Sequence, residues 1–247
     1  MSLLCLEQVR QAELMDDPGL PEADHLHALE ALATINAVSR TAIQITAAAA
    51  SLLPRNDPGP VQVVDLACGG GDVTLACGRR LARSLPTHEV VMTGVDMSRR
   101  GLGRAAARIT AAHEQLAGLP LRFAFVARDL VASGCPPCDV AISSLFFHHL
   151  DDGPAIRVLQ SMAASCRRGF VVSDLIRSRL GLVMAVLGTS LLSGSRVARV
   201  DGPLSVRAAR TPAEYRRLLD AAGLTSATIR RTWPERVLIT WQREAPA

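Results

Sequence analysis

The residues of this chain whose types and spacing point to chemistry are three acids, a glycine turn and a histidine pair. Val61-Gln-Val-Val-Asp65-Leu-Ala67-Cys68-Gly69-Gly70-Gly71-Asp-Val-Thr74 reads as a β-branched run that stops at an acid, followed by glycines and the start of a helix predicted over residues 72–83. Glycines let the backbone bend sharply and leave no Cβ in a ligand's path, and the first turn of a helix offers N–H groups without intrahelical partners. The stretch therefore predicts a nucleotide-sized pocket at the C-terminal edge of a strand. Asp96 ends the next apolar run, where a carboxylate can accept both hydrogen bonds of a ribose diol.

Spacing then discriminates among nucleotide sites. A P-loop needs a lysine after its glycines, and the chain has none: all 27 basic residues are arginine. A dinucleotide fingerprint needs a third glycine where Thr74 stands, which argues against NAD(P) and an oxidoreductase. Farther on, Ser143-Ser144-Leu-Phe-Phe-His148-His149-Leu follows a fourth apolar run and Asp174 ends a fifth. A free imidazole titrates at about pH 6.5, so a histidine there can take the proton of a hydroxyl nucleophile, with Asp174 orienting the ring and stabilising its protonated form. Adjacent side chains diverge, so only one histidine should face the pocket; His148 is the preferred base and His149 the reserve.

The pattern acid-x-Gly-x-Gly-x-Gly, with Asp65 as the acid and Ala67 in place of the first glycine, resembles the first motif of class I S-adenosylmethionine-dependent methyltransferases. The resemblance covers about residues 60–175. It implies S-adenosylmethionine as cofactor, S-adenosylhomocysteine as product and no metal. It also implies a cofactor site made of Asp65, Ala67, Cys68, Gly69, Gly71, Asp96, Met97, Asp129, Leu130, Ser143 and Ser144. Within it Asp65 would orient the turn and the cationic amino end of the ligand, Asp129 would accept from the adenine amino group, and Leu130 would cover the ring. The His-His-Leu segment is similar to small-molecule methyltransferases of the ubiquinone- and sugar-modifying kind. Amine-directed nucleic-acid methyltransferases carry Asn/Asp-Pro-Pro-aromatic at this place; Ser143-Ser144-Leu145-Phe146 argues against DNA. An RNA substrate is supported only by arginine clusters, and with 3% aromatic residues the base-stacking surface is largely missing. The expected activity is methyl transfer to a hydroxyl, or an activated ring carbon, of a small, largely apolar molecule such as a phenolic, quinone or polyketide product. A cofactor-binding accessory protein without turnover is the competing reading.

The elements that must position these residues follow from periodicity. Residues 1–54 read as a helical arm or lid: Leu3, Leu4, Leu6 and Val9 begin an apolar stripe, Pro21 opens a helix, and Leu26, Leu29, Leu32 and Ile35 continue at helical spacing. Residues 55–247 read as the methyltransferase domain, an α/β fold with a Rossmann-like, seven-stranded, mostly parallel sheet and helices on both faces. Within it, residues 176–210 read as a substrate-side insertion, whose Asp201, Ser205 and Arg207 are expected to line the substrate pocket from a loop. Thr211-Pro212-Ala213-Glu214 is a capping box.

Composition describes a globular protein with a large core: 247 residues, 49% hydrophobic, 20% charged, net charge +4. The most apolar run, residues 180–192, falls short of the roughly 20 residues needed to span a bilayer. No leader pattern is read at the N-terminus, so a cytoplasmic protein is expected, a monomer or homodimer acting on a small molecule. Cys135-Pro-Pro-Cys138 is at most half a metal site and reads as structural.

Overall fold

The computed structural model describes residues 6–53 and 59–244. In chain order the elements are α1 (Glu22–Val38), α2 (Thr41–Leu52), β1 (Val61–Leu66), α3 (Asp72–Ser84), β2 (Val90–Asp96), α4 (Arg99–Ala111), α5 (His113–Leu116), β3 (Leu121–Ala127), α6 (Leu130–Ser133), β4 (Cys138–Ser144), α7 (Asp152–Ser165), β5 (Cys166–Leu175), α8 (Arg179–Leu192), α9 (Arg196–Ala208), α10 (Pro212–Ala221), β6 (Thr228–Thr232) and β7 (Arg236–Gln242). Short 3₁₀ turns occur at Leu14–Asp16 and Phe147–His149. The sheet runs β3-β2-β1-β4-β5-β7-β6, with the first five strands parallel and β7 antiparallel to both β5 and β6. Strand order therefore reverses between β1 and β4, and a crevice opens there beyond their C-terminal ends.

Alternation along the strands divides the core. Val64, Leu66, Ala141, Phe170 and Val172 face α7 and α10 through Val158, Leu159, Met162, Tyr215 and Leu219. Val63, Val140, Ile142 and Val171 face α2 and α3 through Ile45, Ala49, Leu52, Val73, Cys77 and Leu81. The boundary expected near residue 54 is thus not a boundary of packing, because α2 belongs to a layer of the sheet. Helices α1, α8 and α9 pack on one another, and α9 also meets both 3₁₀ turns, so segments from both sides of the sheet's sequence form a cap at the crevice.

Two expectations about this cap are corrected. Leu6 and Val9 do not lie on a helix: the stretch has no regular secondary structure, with the Val9 N–H donating to the Arg207 carbonyl at 3.1 Å and Gln8 Nε2 to the Ala208 carbonyl at 2.8 Å. A short apolar stripe cannot offset the cost of nucleating a helix when the end of α9 offers acceptors instead. Leu3 and Leu4 lie outside the described residues. Asp201, Ser205 and Arg207 sit on α9, not in a loop, and Gly202 and Pro203 lie inside that helix. A Cβ on Gly202 would come 2.7 Å from Thr189 Cγ2, so the glycine lets α9 pack closely on α8, and that packing overrides local propensity. The capping box forms as expected, Glu214 N donating to Thr211 Oγ1 and Thr211 N to Glu214 Oε2.

Among the described residues no helix is long and apolar enough to cross a membrane. Cys135 and Cys138 are joined by Cys166, with Cys138 and Cys166 Sγ 3.5 Å apart, all three buried at the end of the sheet where β4 and β5 begin.

Candidate active site

The glycine loop is built by positive backbone angles. After β1, Ala67 takes φ +57°, Gly69 +51° and Gly71 +71°, and the Gly71 N–H closes the turn on the Cys68 carbonyl at 2.9 Å. Ala67 therefore occupies a left-handed conformation that disfavours any Cβ. Gly71 is demanded twice over, since a Cβ there would meet Ala105 Cβ at 2.6 Å. Asp96 ties the loop to β2: its carboxylate accepts from Gly69 N and Ser98 N, each at 2.8 Å. Ser98 in turn caps α4. Asp65 is buried and accepts a 2.6 Å hydrogen bond from Thr74 Oγ1, the residue in the place of the third dinucleotide glycine; burial pushes its pKa up to about 7. Asp72, in the first turn of α3, accepts from Asn36 Nδ2 at 3.0 Å, and burial raises it too. Asn36 is held by the buried Arg236, which also donates to Thr41 at 2.7 Å.

Charge decides what this loop can bind. Asp65 lies in the field of two further carboxylates around it, Asp72 and Asp96, both of which raise its proton affinity. The nearest arginines are already engaged: Arg104 and Arg108 pair with Glu30 at 2.7 and 2.6 Å, and Arg108 Nε donates to the Gly70 carbonyl. A pyrophosphate would meet these acids with Arg104 and Arg108 already paired, whereas a nucleoside carrying a positively charged end is complementary to them.

The remaining predicted cofactor residues take varied places. Met97 is 76% exposed at the crevice rim, Cys68 is buried beneath the loop, and Ser144 is half-buried at the end of β4. Ser143 is buried and donates to the Leu66 carbonyl, tying β4 to β1. Asp129 is exposed and caps α6 through bonds from Val131 N and Ala132 N to one oxygen, leaving the other available. Leu130 is buried in the core cluster with Leu66 and Val95, so its side chain packs under the sheet end and presents no open face for a ring.

Across the crevice, β4 gives way to a sharp turn at Leu145, φ +55°, whose N–H donates to the Ser173 carbonyl at 3.0 Å. The next residues form the 3₁₀ turn, and buried Arg210 clamps it by donating to the Phe147 and Leu150 carbonyls, each at 2.7 Å, while pairing with Asp152. His148 is thereby swung inward: it is 2% exposed, its Nδ1 lies 2.7 Å from Asp174 Oδ1, and its backbone N–H donates to Asp174 Oδ2 at 3.1 Å. Leu175 N adds a third bond to that carboxylate. Burial alone would raise Asp174, but the neighbouring imidazole outweighs it and holds the carboxyl below its usual range. For His148, burial would lower the pKa and Asp174 reverses this, so the ring is a stronger base than a free imidazole. With the acceptor oxygen of Asp174 at Nδ1, the neutral ring carries its proton there and leaves Nε2 open as a base. His149 stacks against His148 with ring centroids 4.2 Å apart; its side chain is 32% exposed, and burial together with the neighbouring imidazole pushes its pKa down to about 3, so it is the weaker base of the two.

Sequence reasoning missed the group facing Nε2. Glu13, on the N-terminal segment, is 10% exposed; its Oε1 accepts from Ser205 Oγ at 2.5 Å and lies 3.9 Å from both His148 Nε2 and His149 Nδ1. Burial pushes its pKa up to about 7. Of the three residues expected in the substrate pocket, Ser205 holds Glu13, Asp201 accepts from Leu14 N and Met15 N at 2.8 and 3.0 Å, and Arg207 is exposed. The first two pin the N-terminal segment, and Arg207 contributes its carbonyl to the same seam. No motif marks Glu13 or Arg210, so nothing local could have singled them out.

Residues 63–169 match a sequence family described as a methyltransferase domain. The matched stretch spans β1 through the start of β5 and so contains the glycine loop, Asp96 and both histidines; Asp174 lies just beyond it. Solved structures share the fold at low identity. Magnesium protoporphyrin IX methyltransferase from Synechocystis, with bound SAH, is 20% identical over 83% of each chain, with a TM-score of 0.55. Human N-acetylserotonin methyltransferase in complex with SAM is 18% identical over 91% of this chain and 57% of that one, with a TM-score of 0.61. An O-methyltransferase family 2 protein from Planctomyces limnophilus, in complex with apigenin, is 17% identical over 93% of this chain and 63% of that one, with a TM-score of 0.55. No curated protein sequence matches the chain.

Proposed function

We propose that the chain transfers a methyl group to a hydroxyl of a small, largely apolar molecule of phenolic or polyketide type, with His148 as general base and Asp174 as the carboxylate that orients it. The observation that carries this reading is the 2.7 Å contact between His148 Nδ1 and Asp174, in a site where Nε2 points away from that carboxylate toward the cap. Bound S-adenosylmethionine supplies an electrophilic methyl on a sulfonium. The chain's own work is positional: the Ala67–Gly71 loop and Asp96 hold the nucleoside, the three acids around the loop favour a cationic ligand, and the cap excludes water. His148 Nε2 takes the acceptor's proton, and Asp174 stabilises the imidazolium that results. A base of this strength suits a phenol, whose proton is held at about pH 10 in the free molecule, better than an amine, which needs no deprotonated oxygen. The fold neighbours that bind apigenin or act on N-acetylserotonin are in keeping with a small aromatic acceptor.

The test has two arms. S-adenosylhomocysteine should raise the melting temperature while NAD and NADP leave it unchanged, and Asp96→Ala should abolish the rise. Methylation of a panel of phenols, read by mass spectrometry, should be lost in His148→Ala with donor affinity retained. Stabilisation by NAD, or full turnover by His148→Ala, would refute the reading.

A further inference from the structure

The segment ahead of α1 is not a loose tail. Val9 and Gln8 bond to the end of α9, Asp201 takes two consecutive backbone N–H groups at Leu14 and Met15, and Arg177 Nε donates to the Leu6 carbonyl at 2.9 Å. These bonds deliver one side chain into the site, Glu13. Its Oε1 stands 3.9 Å from His148 Nε2, the ring atom that does not face Asp174. A hydroxyl oxygen about 2.8 Å from each of two atoms at that separation, with an angle of roughly 90° at the oxygen, lies within reach of both and can donate its single proton to either one.

We propose, resting on the methyl-transfer reading above, that Glu13 is a second catalytic group which shares the acceptor hydroxyl with His148 and carries its proton out of the buried site. In the step, the acceptor oxygen forms the new O–CH₃ bond, the C–S bond breaks with its electron pair left on sulfur, and the acceptor proton passes to His148 Nε2. After the methylated product leaves, a water in the place of its oxygen passes the proton from Nε2 to the Glu13 carboxylate, restoring the neutral imidazole. Glu13 stands at the edge of the buried site, where His149 is 32% exposed and Asp16 65% exposed, so the proton leaves it toward solvent past these residues; His149, whose pKa burial and the neighbouring imidazole push down to about 3, does not hold it. His148 by itself is 2% exposed and has no such route, since its other nitrogen is committed to Asp174, which is 0% exposed.

The charges that set this balance come from every side of the pair. Asp174 of β5 and Glu13 raise the proton affinity of His148, and Arg236 of β7 lowers it. Glu13 feels His148, Ser205 and Asp201 of α9 and Asp16 of its own segment; burial dominates and keeps its carboxyl near neutrality, the range in which a relay group must both accept and release a proton.

The experiment compares wild type with Glu13→Gln and Glu13→Ala. Glutamine keeps an acceptor for Ser205 and nearly the same volume, so folding is preserved. Nuclear magnetic resonance of the His148 ring, recorded without donor or acceptor, should show about a tenfold loss of proton affinity in Glu13→Gln because a neighbouring anion is gone. With a phenol acceptor, kcat should fall roughly 10²-fold in both variants, while affinity for S-adenosylhomocysteine stays at the wild-type value. Unchanged His148 titration together with unchanged kcat in Glu13→Gln would overturn the assignment while leaving methyl transfer intact. Failure of S-adenosylhomocysteine to bind wild type would instead overturn methyl transfer, and the role of Glu13 with it.

Discussion

Replacing Asp174 by asparagine tests the centre of the site most directly. The carboxylate receives three hydrogen bonds, from His148 Nδ1, His148 N and Leu175 N, in a fully buried position. Asparagine can keep the two bonds at Oδ1, but its amide NH₂ then faces the backbone N–H of His148 and leaves two donors opposed. An unsatisfied buried donor costs about 1–3 kcal/mol, and loss of a charge-assisted bond adds to it; because His148 can shed its proton, the total should stay below the roughly 3–5 kcal/mol of an uncompensated buried charge. A loss of about 2–4 kcal/mol lowers the melting temperature of a chain this size by about 5–15 °C. The pH dependence has a definite sign. Asp174 titrates below its ordinary value, so its contribution is present above the unfolded carboxylate range and disappears as pH falls through the folded value. His148 titrates above its ordinary value, so its contribution is complete below about pH 6.5 and disappears as pH rises through the folded value. The gap between wild type and Asp174→Asn should therefore be widest at about pH 5–6 and close on both sides. Thermal unfolding followed by circular dichroism across that range gives the answer. A variant melting within a degree or so of wild type at about pH 5.5 would refute the buried pair.

Three further outcomes follow from the site. Gly71→Ala places a Cβ 2.6 Å from Ala105 Cβ at φ +71°, and should cost about 2–4 kcal/mol and lower S-adenosylhomocysteine affinity by at least about tenfold in calorimetry. Ala67→Gly removes a left-handed alanine, and should raise stability to chemical denaturation by about 0.5–1 kcal/mol even after the added chain entropy; a loss would show that the Ala67 Cβ packs favourably. Glu13 carries a folded pKa raised from 4.5 to about 7, so the folded state binds the extra proton between those values and loses stability as pH rises across that window, by about 3 kcal/mol at most. Glu13→Gln should match wild type in melting temperature at the acid end of the window and exceed it above neutrality.

Much of the site was legible because its determinants are local. The alternation of β-branched residues, the glycines after Asp65, Ser98 as a helix cap and the Thr211–Glu214 capping box depend on neighbours in the chain, so their pattern survives in the sequence. The loop expected to carry Asp201, Ser205 and Arg207 is helical instead, because close contact with α8 at Gly202 keeps α9 formed even with Pro203 inside it. Leu130, read as a cover for a ring, sits in the core because its place after β3 turns it under the sheet.

What the chain determined by itself is the order of strands and helices, the adenosine-sized turn after β1, and the acids and histidines that end successive strands, since each is set by backbone preference and periodicity over a few residues. Only the tertiary structure decided which histidine turns inward and what faces it. Arg210 clamps the turn that aims His148 at Asp174, and Ser205, 192 residues from Glu13 in the chain, holds that carboxyl opposite the ring. Those distances arise from the burial of the cap against the sheet, and no local pattern encodes them.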